Sequence, residues 1–360
     1  MTALDATPVG EMPAPPRMAK IALSGTPDDK AMFRAAAELT RDIAAHRPRM
    51  YWADMLTSAI LGYAALAGSI LLSGWLAWAS GFVAFLLLYP ALLFIHEISH
   101  FRKDEVPGFT LGWNALVGIP MLTPSLMYEA VHTLHHARTR YGTVDDPEYL
   151  SLALMKPWAL PAFLLVALLA PPALVIRFGL LAPLGVLFPK LRKFVWERFS
   201  ALSINPEFRR RPPEPELRAK FLWQEAGAAL WAVLLMASVL WLGWRPLLIA
   251  LAVFSGVAVL NQLRTLVAHL WENEGEPMTV TGQYLDSVNV QSPFAALWAP
   301  VGLRFHALHH LMPSLPYHAL PEAHRRISAH LGIESTYARS IHPGLTPLVM
   351  RIARSTMRRR

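Results

Sequence analysis

Long uncharged stretches constrain the fold of this chain more than any other feature. Between Asp54 and His96 there is no charged residue and no histidine. Crossing a bilayer in a helix takes about 20 apolar residues, because roughly 30 Å of hydrocarbon is covered at 1.5 Å per residue. The stretch therefore has room for two membrane-spanning helices, joined at Ser73-Gly74-Trp75.

A second apolar pair runs from about Ala226 to Gly243 and from Pro246 to Leu263, interrupted at Trp244-Arg245-Pro246. Core helices of soluble proteins rarely contain apolar runs of this length. We therefore predict an all-α integral membrane protein with four transmembrane helices in two hairpins, at about residues 55–95 and 226–263.

Three further apolar segments lie between the two hairpins, at residues 106–128, 157–176 and 178–189. Prolines interrupt all three, the first also contains several glycines, and Arg177 separates the second from the third. Non-helical backbone at membrane depth is tolerated only where protein covers it. The pattern therefore favours in-plane or re-entrant helices over straight spans.

The composition agrees with a membrane protein. Hydrophobic residues make up 54% of the chain and charged residues 16%, against about 25% charged in a typical soluble protein. Mean hydropathy is +0.33. An ordinary soluble enzyme, a disordered chain and a fibrous repeat are thereby excluded. There is no cysteine, which excludes disulfide scaffolds, zinc ribbons, iron–sulfur clusters and thiol catalysis.

The distribution of basic residues predicts the orientation. The far tips of the predicted hairpins carry one basic residue, Arg245, and the other Lys and Arg residues near the spans lie on the opposite side. Because cytoplasmic loops are enriched in Lys and Arg, both termini and the histidines are predicted to be cytoplasmic. The net charge of +8 then indicates contact with anionic lipid headgroups, and no nucleic-acid-binding motif accompanies it.

Three regions follow from this division. Residues 1–50 are predicted to be a cytoplasmic segment with a helix at about 28–45. Residues 51–330 are predicted to be one domain, made of the hairpins and a cytoplasmic histidine-rich cap. Residues 331–360 are predicted to be a basic C-terminal tail.

Three histidine clusters stand near the predicted cytoplasmic ends of the apolar runs. The first is His-x-x-x-His, the other two are His-x-x-His-His, and one further histidine follows the fourth span. Spacings of three and four residues place side chains on one face of a helix, where several imidazoles can reach one ion. The nine residues are His96, His100, His132, His135, His136, His269, His306, His309 and His310. One such box arises by chance in some histidine-rich chains, whereas three beside membrane spans do not.

The number of histidines indicates more than one metal. Neutral imidazole is a good ligand for iron, copper, zinc and nickel, but one tetrahedral zinc uses only about four ligands. Nine imidazoles are enough for two ions with four or five nitrogens each. A nitrogen-rich dinuclear site beside a membrane points to oxygen activation on a lipid-like substrate.

The order and context of these boxes resemble the membrane fatty acid desaturases. The segments HEISH at residues 96–100, HTLHHARTRYGTVDDPEY from His132 and LRFHALHHLMPSLPYHAL around His306 are similar to bacterial members with three histidine boxes. The resemblance covers roughly residues 50–330. It implies an oxygen-dependent acyl desaturase with two non-heme irons, bound by the box histidines and by His269, and O2 as co-substrate. It also implies a lipid acyl substrate, a separate electron donor of the ferredoxin or cytochrome type, and a location in a bacterial inner membrane.

Two departures from the acyl-CoA desaturases bear on the substrate. In those enzymes the first box has one more intervening residue, and an asparagine stands four residues before the extra histidine. Here Thr265 holds that position and Asn261 lies eight residues before His269. Metal-bound imidazoles usually donate their other N–H to a carboxylate, and we therefore predict that Asp145 or Asp146 orients a histidine of the second box.

Other functions remain open on the sequence alone. A lipid or carotenoid hydroxylase or ketolase would carry the same boxes, because hydroxylation and desaturation begin with the same C–H cleavage. A non-enzymatic heme carrier would need paired histidines on two facing helices, not triplets. A metal transporter would need ionisable residues within its spans, and the four predicted spans have none near their centres.

Overall fold

The computed structural model describes residues 23–102 and 105–358, so that residues 1–22, Lys103, Asp104, Arg359 and Arg360 lie outside the described residues. Its α-helices are α1 (Lys30–Thr40), α2 (Pro48–Leu71), α3 (Gly74–His100), α4 (Phe109–Trp113), α5 (His132–His135), α6 (Ala159–Ile176), α7 (Ala182–Leu187), α8 (Pro189–Phe199), α9 (Pro215–Leu242), α10 (Trp244–Leu266), α11 (Val280–Asp286), α12 (Ala295–Trp298), α13 (His306–Leu311), α14 (Leu320–Leu331) and α15 (Leu345–Arg358). Two short strands, β1 (Asn289–Val290) and β2 (Ile341–His342), pair in parallel.

The first predicted hairpin is present as α2 and α3. Both helices are long and apolar enough to cross a membrane, and they break between Leu71 and Gly74 as expected. They pack closely because small residues lie in their interface: a Cβ added at Gly62 would stand 2.8 Å from the side chain of Leu88. Small residues allow helix backbones to approach in a membrane, where apolar burial alone does not hold helices together.

The second predicted hairpin corresponds to α9 and α10, which are also long and apolar enough to span. The chain turns at Gly243, which has φ +69°, a left-handed conformation that favours glycine. The two helices do not pack tightly on each other. Helix α10 packs mainly against α6, and α9 packs mainly against the π-helical turn Arg177–Leu181 that joins α6 to α7.

The described residues therefore contain five helices with the length and hydropathy of a span, and the predicted four-span topology is not confirmed. The additional one is Ala159–Leu187, where in-plane or re-entrant helices were predicted. Pro171 and Pro172 lie inside α6 without ending it. Neighbouring helices and a local π-helical turn can accommodate such residues in a membrane helix. The buried Arg177 in this turn is neutralised by Glu225 of α9, 2.8 Å away.

The segment at residues 106–128 agrees better with its prediction. It forms α4, the π-helical turn Asn114–Gly118 and the 3-10 turn Ser125–Met127, and none of these is long enough to span. Phe109, Trp113 and Val117 are fully buried against α2 and α3. The irregular backbone is thus covered by protein, as an apolar surrounding requires.

The remaining helices form the cap that carries most of the histidines. α1 packs on α14, and α11 packs on α13, around a core that includes Met32, Tyr284, Leu308 and Ile327. The predicted helix near residues 28–45 is α1, with Asp29 as its N-cap. The C-terminal region packs on this body through β2 and through α15, whose residue Ile352 is buried.

Candidate metal centre

The nine histidines converge in two adjacent clusters. In each cluster, one possible ligand atom from every histidine lies within 4.8 Å of those from the others. The five-histidine cluster consists of His96, His100, His132, His136 and His309, and the four-histidine cluster consists of His135, His269, His306 and His310. All nine residues singled out from the sequence are therefore brought together.

Each His-x-x-His-His box is divided between the two clusters. From the second box, His132 and His136 enter the five-histidine cluster and His135 enters the other. The third box does the reverse, since His306 and His310 enter the four-histidine cluster and His309 crosses to the first. The three rings of one box therefore do not all face the same cluster. The i and i+4 rings face one cluster and the i+3 ring turns to the other.

Helix ends and a short extended segment position these rings. Helix α3 continues through His96 to His100, so both rings project from its last turn with their centroids 5.2 Å apart. His269 follows α10 and forms an isolated antiparallel bridge with Ser287. Two residues further, the Asn289 side chain accepts a hydrogen bond from the Leu308 backbone N–H, at 3.0 Å. The segment at 287–290 therefore ties His269 to the third box.

Ring nitrogens approach one another within the clusters. Nε2 of His136 lies 3.0 Å from that of His132 and 3.1 Å from that of His309. Nε2 of His306 lies 3.0 Å from that of His269 and 3.2 Å from that of His310. These Nε2 atoms are hydrogen-bond acceptors when their lone pairs are free, and a cation between them would satisfy several of them at once.

Several ring nitrogens in the clusters are buried and lack a hydrogen-bond partner in the protein. They are both nitrogens of His96, Nε2 of His100, and Nδ1 of His136, His306 and His310. Buried polar atoms without partners are rare in folded proteins and call for an explanation such as a ligand. His96 and His100 thus each have a free nitrogen that fits a metal site, whereas His136, His306 and His310 already direct Nε2 into the clusters.

Burial keeps the imidazoles neutral, which is the form that binds a metal. It lowers the pKa of His132, His136 and His309 well below the usual range, and neighbouring histidines lower it further. The same holds for His269 and for the histidines of the third box in the four-histidine cluster.

Carboxylates outside the clusters orient the second box. Nδ1 of His135 lies 2.9 Å from Oδ2 and 3.0 Å from Oδ1 of Asp146, a fully buried residue. Burial by itself lowers the pKa of His135, but Asp146, Glu148 and Asp286 together offset this effect and the pKa is raised. We predicted that Asp145 or Asp146 would orient a histidine of the second box. The structure places Asp146 in contact with His135, whereas Asp145 is exposed. Nδ1 of His132 contacts Glu148 Oε1 in the same way, at 2.8 Å.

A tyrosine orients His269, and the sequence analysis did not identify it. The Tyr141 hydroxyl lies 2.8 Å from Nδ1 of His269 and donates to Asp286 Oδ2 at 2.9 Å. Its oxygen therefore accepts the Nδ1–H of His269, which leaves the Nε2 lone pair free for a metal. Ser287 Oγ lies 3.2 Å from the same Nδ1. Nothing in the local pattern distinguishes Tyr141 from other tyrosines, because its partners lie 128 and 145 residues away.

The nearby glutamates have other partners. Glu97, inside the first box, accepts hydrogen bonds from the Tyr51 hydroxyl at 2.6 Å and the Tyr317 N–H at 3.1 Å. Glu129 binds Lys220. The candidate ligand set is thus entirely imidazole, and such a set suits redox-active transition metals better than magnesium or calcium.

Two comparisons with known proteins bear on this site. The sequence profile of the family described as Fatty acid desaturase matches residues 73–339. The chain is also 45% identical over 329 residues to a protein named ceramide hydroxylase from Caulobacter vibrioides (strain NA1000 / CB15N), and the match covers 90% of this chain and 93% of that protein. The resemblance noted in the sequence is confirmed: this chain belongs to the fatty acid desaturase family.

Proposed function

We propose that this chain is an oxygen-dependent membrane oxidoreductase that hydroxylates ceramide or a closely similar acyl lipid at a di-iron centre. The observation that carries the proposal is the 45% identity, over nearly the whole length of both chains, to a protein named ceramide hydroxylase. The histidine boxes by themselves pointed first to an acyl desaturase, with lipid hydroxylation as the alternative. The comparison supports the alternative better than the desaturase.

The overall reaction balances as follows. One C–H bond of the lipid and the O–O bond of O2 are broken, and a C–OH group and one water are formed. Two electrons and two protons are consumed. When bound, the two irons supply the oxygen activation that an unactivated C–H bond requires, a reaction that amino acid side chains alone do not perform.

In this proposal the nine histidines hold the two irons, five at one ion and four at the other. Asp146, Glu148 and Tyr141 accept the Nδ1–H groups of His135, His132 and His269. They would thereby fix the ring orientations and direct Nε2 to the metals. The buried, apolar surroundings exclude bulk water from the reacting lipid.

The remaining partners are part of the same proposal. The site lies beside the end of α3 and shortly after the end of α10, which favours access of a lipid from the membrane. A separate protein of the ferredoxin or cytochrome type would supply the two electrons. Because basic loops favour the cytoplasmic side of a membrane, the proposal assigns this side of the protein to the cytoplasm of a bacterium.

Product analysis tests the proposal. The full chain is expressed in a host that makes ceramide but lacks ceramide hydroxylation, and extracted lipids are measured by mass spectrometry. Hydroxylation adds about 16 mass units to the lipid and desaturation removes about 2. Growth under 18O2 should label the new hydroxyl group. The variant His306→Ala, expressed to the same level, serves as the inactive control. A product with two fewer mass units and no 18O would contradict hydroxylation.

A further inference from the structure

Arg264 is a buried cation beside the candidate metal centre, and it interacts electrostatically with Glu148 without forming a direct ion pair with it. It lies in the last turn of α10, its exposed fraction is 8%, and within the described ranges no carboxylate forms a salt bridge with it. The other arginine buried in a spanning helix, Arg177, is paired with Glu225 at 2.8 Å. An ionisable residue in a membrane helix is costly and is normally paired or functional.

The hydrogen bonds of Arg264 leave its Nε–H unused. Its Nη2 donates to Asn261 Oδ1 at 3.0 Å, one turn earlier on the same helix. Its guanidinium also interacts with the hydroxyl of Tyr89 on α3. Its Nε–H is buried and has no partner. An unpaired buried donor costs far more than a made hydrogen bond contributes, so this arrangement is suited to an acceptor that is not part of the protein.

The guanidinium lies on the membrane side of the histidine clusters. Arg264 precedes His269 by five residues, and Tyr89 precedes His96 by seven on α3. Burial is the main cause of the low pKa of His269 and of His306, and the charge of Arg264 lowers both further. The free donor is thus close to the clusters, on the side from which a lipid would enter.

We propose that Arg264, oriented by Asn261, is a specificity-determining residue that donates its free Nε–H to the amide carbonyl oxygen of the lipid substrate. The inference rests on the proposed function, because it takes an acyl amide as the substrate. A carbonyl is an acceptor without an acidic proton, and a guanidinium has only donors. Holding the carbonyl this close to the metals places the hydroxylated carbon near the amide and not at the methyl end of a chain.

The test compares ceramide with its thioamide analogue, in which a poorly accepting sulfur replaces the carbonyl oxygen. Full-length, iron-loaded enzyme in lipid nanodiscs is assayed with both substrates. We expect wild type to prefer the amide by about tenfold in kcat/KM, since a hydrogen bond from a charged donor contributes at least that factor. Arg264→Gln should abolish most of this preference, raise KM, and broaden the position of hydroxylation in fragment-ion spectra.

Matched variants keep the test decisive. Arg245→Gln, at the far hairpin tip, should keep the full preference for the amide. Asn261→Leu removes the acceptor that orients the guanidinium and should lose part of the preference, which gives a second reading if Arg264→Gln does not fold. Iron content should stay at the wild-type value in all three.

Three results would overturn the inference. The first is equal use of amide and thioamide by wild type, and the second is a hydroxyl group near the methyl terminus of the product. The third is loss of iron in Arg264→Gln, which would mean that the guanidinium stabilises the metal site and does not select the substrate. Failure of the proposed function looks different, because wild type would then form no hydroxylated ceramide.

Discussion

The two histidine clusters differ in how the protein holds them. In the four-histidine cluster every ring is buried. Nδ1 of His135 is hydrogen-bonded to Asp146, and Nδ1 of His269 is hydrogen-bonded to Tyr141, which in turn donates to Asp286. In the five-histidine cluster His100 and His136 are only half-buried. Among the residues that the structure describes, His132 is the member of that cluster whose ring is hydrogen-bonded to a carboxylate, Glu148.

This difference suggests that the four-histidine cluster compensates for its smaller number of ligands with more hydrogen bonds that fix the orientation of its rings. Four nitrogens leave no spare ligand, so their orientation must be fixed by surrounding groups. Five nitrogens tolerate the loss of one and can remain partly open. We infer that the four-histidine cluster holds its iron more tightly and that the five-histidine cluster is the more accessible one.

The largest expected effect comes from removing a ligand of the four-histidine cluster. His269→Ala leaves three nitrogens there, and we expect iron per protein to fall from two to about one and activity to fall more than about 100-fold, exceeding the loss from an outer group. His100→Ala leaves four nitrogens in the other cluster and should keep more iron. Elemental analysis of the purified variants measures both. Equal iron loss in the two variants would show that ligand number does not distinguish the clusters.

Substitutions of Asp146 and of the adjacent Asp145 test the hydrogen bond that orients His135. Asp146→Asn keeps the size of a buried side chain but replaces the acceptor of the His135 Nδ1–H, and it should weaken iron binding by about 10- to 100-fold. Asp145→Asn changes the adjacent exposed carboxylate and should have no effect. Competition with a chelator measures the affinity. If both variants bind iron like wild type, Asp146 does not orient a ligand.

Accessibility predicts a smaller, kinetic difference. An iron chelator added to the loaded enzyme should remove metal in two phases of equal amplitude, because a chelator can reach the ion behind the half-buried rings with less opening of the fold. The His100→Ala variant should speed the fast phase and leave the slow one unchanged. Absorbance of the chelate against time gives both rates. A single phase for both irons would contradict a difference in exposure.

The parts of the fold that the sequence predicts well are those that depend on local patterns. Uncharged length is enough to identify the first hairpin, and i, i+4 spacing is enough to bring His96 and His100 together. The spanning length of Ala159–Leu187 was not predicted, because prolines and Arg177 disfavour a continuous membrane helix when only the local sequence is considered. What allows it to be helical is a partner far along the chain, Glu225, and the packing of α10 against α6.

The candidate site also combines features that the local sequence predicts with contacts between residues far apart in the chain. Histidine spacing selects the nine residues, and carboxylates soon after a box suggest Asp146. The exchange of His135 and His309 between clusters depends on how two short helices face each other, which spacing does not encode. Tyr141 and Arg264 act through contacts with residues on other elements. Such residues are found from the three-dimensional arrangement and not from a motif.

The smallest expected effect concerns Tyr141. Tyr141→Phe removes one hydroxyl between His269 and Asp286, and we expect iron affinity of the four-histidine cluster to fall about 2- to 10-fold, as for a typical single hydrogen bond. Tyr63→Phe is the control, because the Tyr63 hydroxyl is buried without a partner. Asp286→Asn acts through the same hydroxyl, so the double variant should bind iron no more weakly than the weaker single variant. Additive losses would mean that Asp286 and Tyr141 support His269 independently, and the four-histidine cluster would then be held by separate contacts instead of one chain of hydrogen bonds.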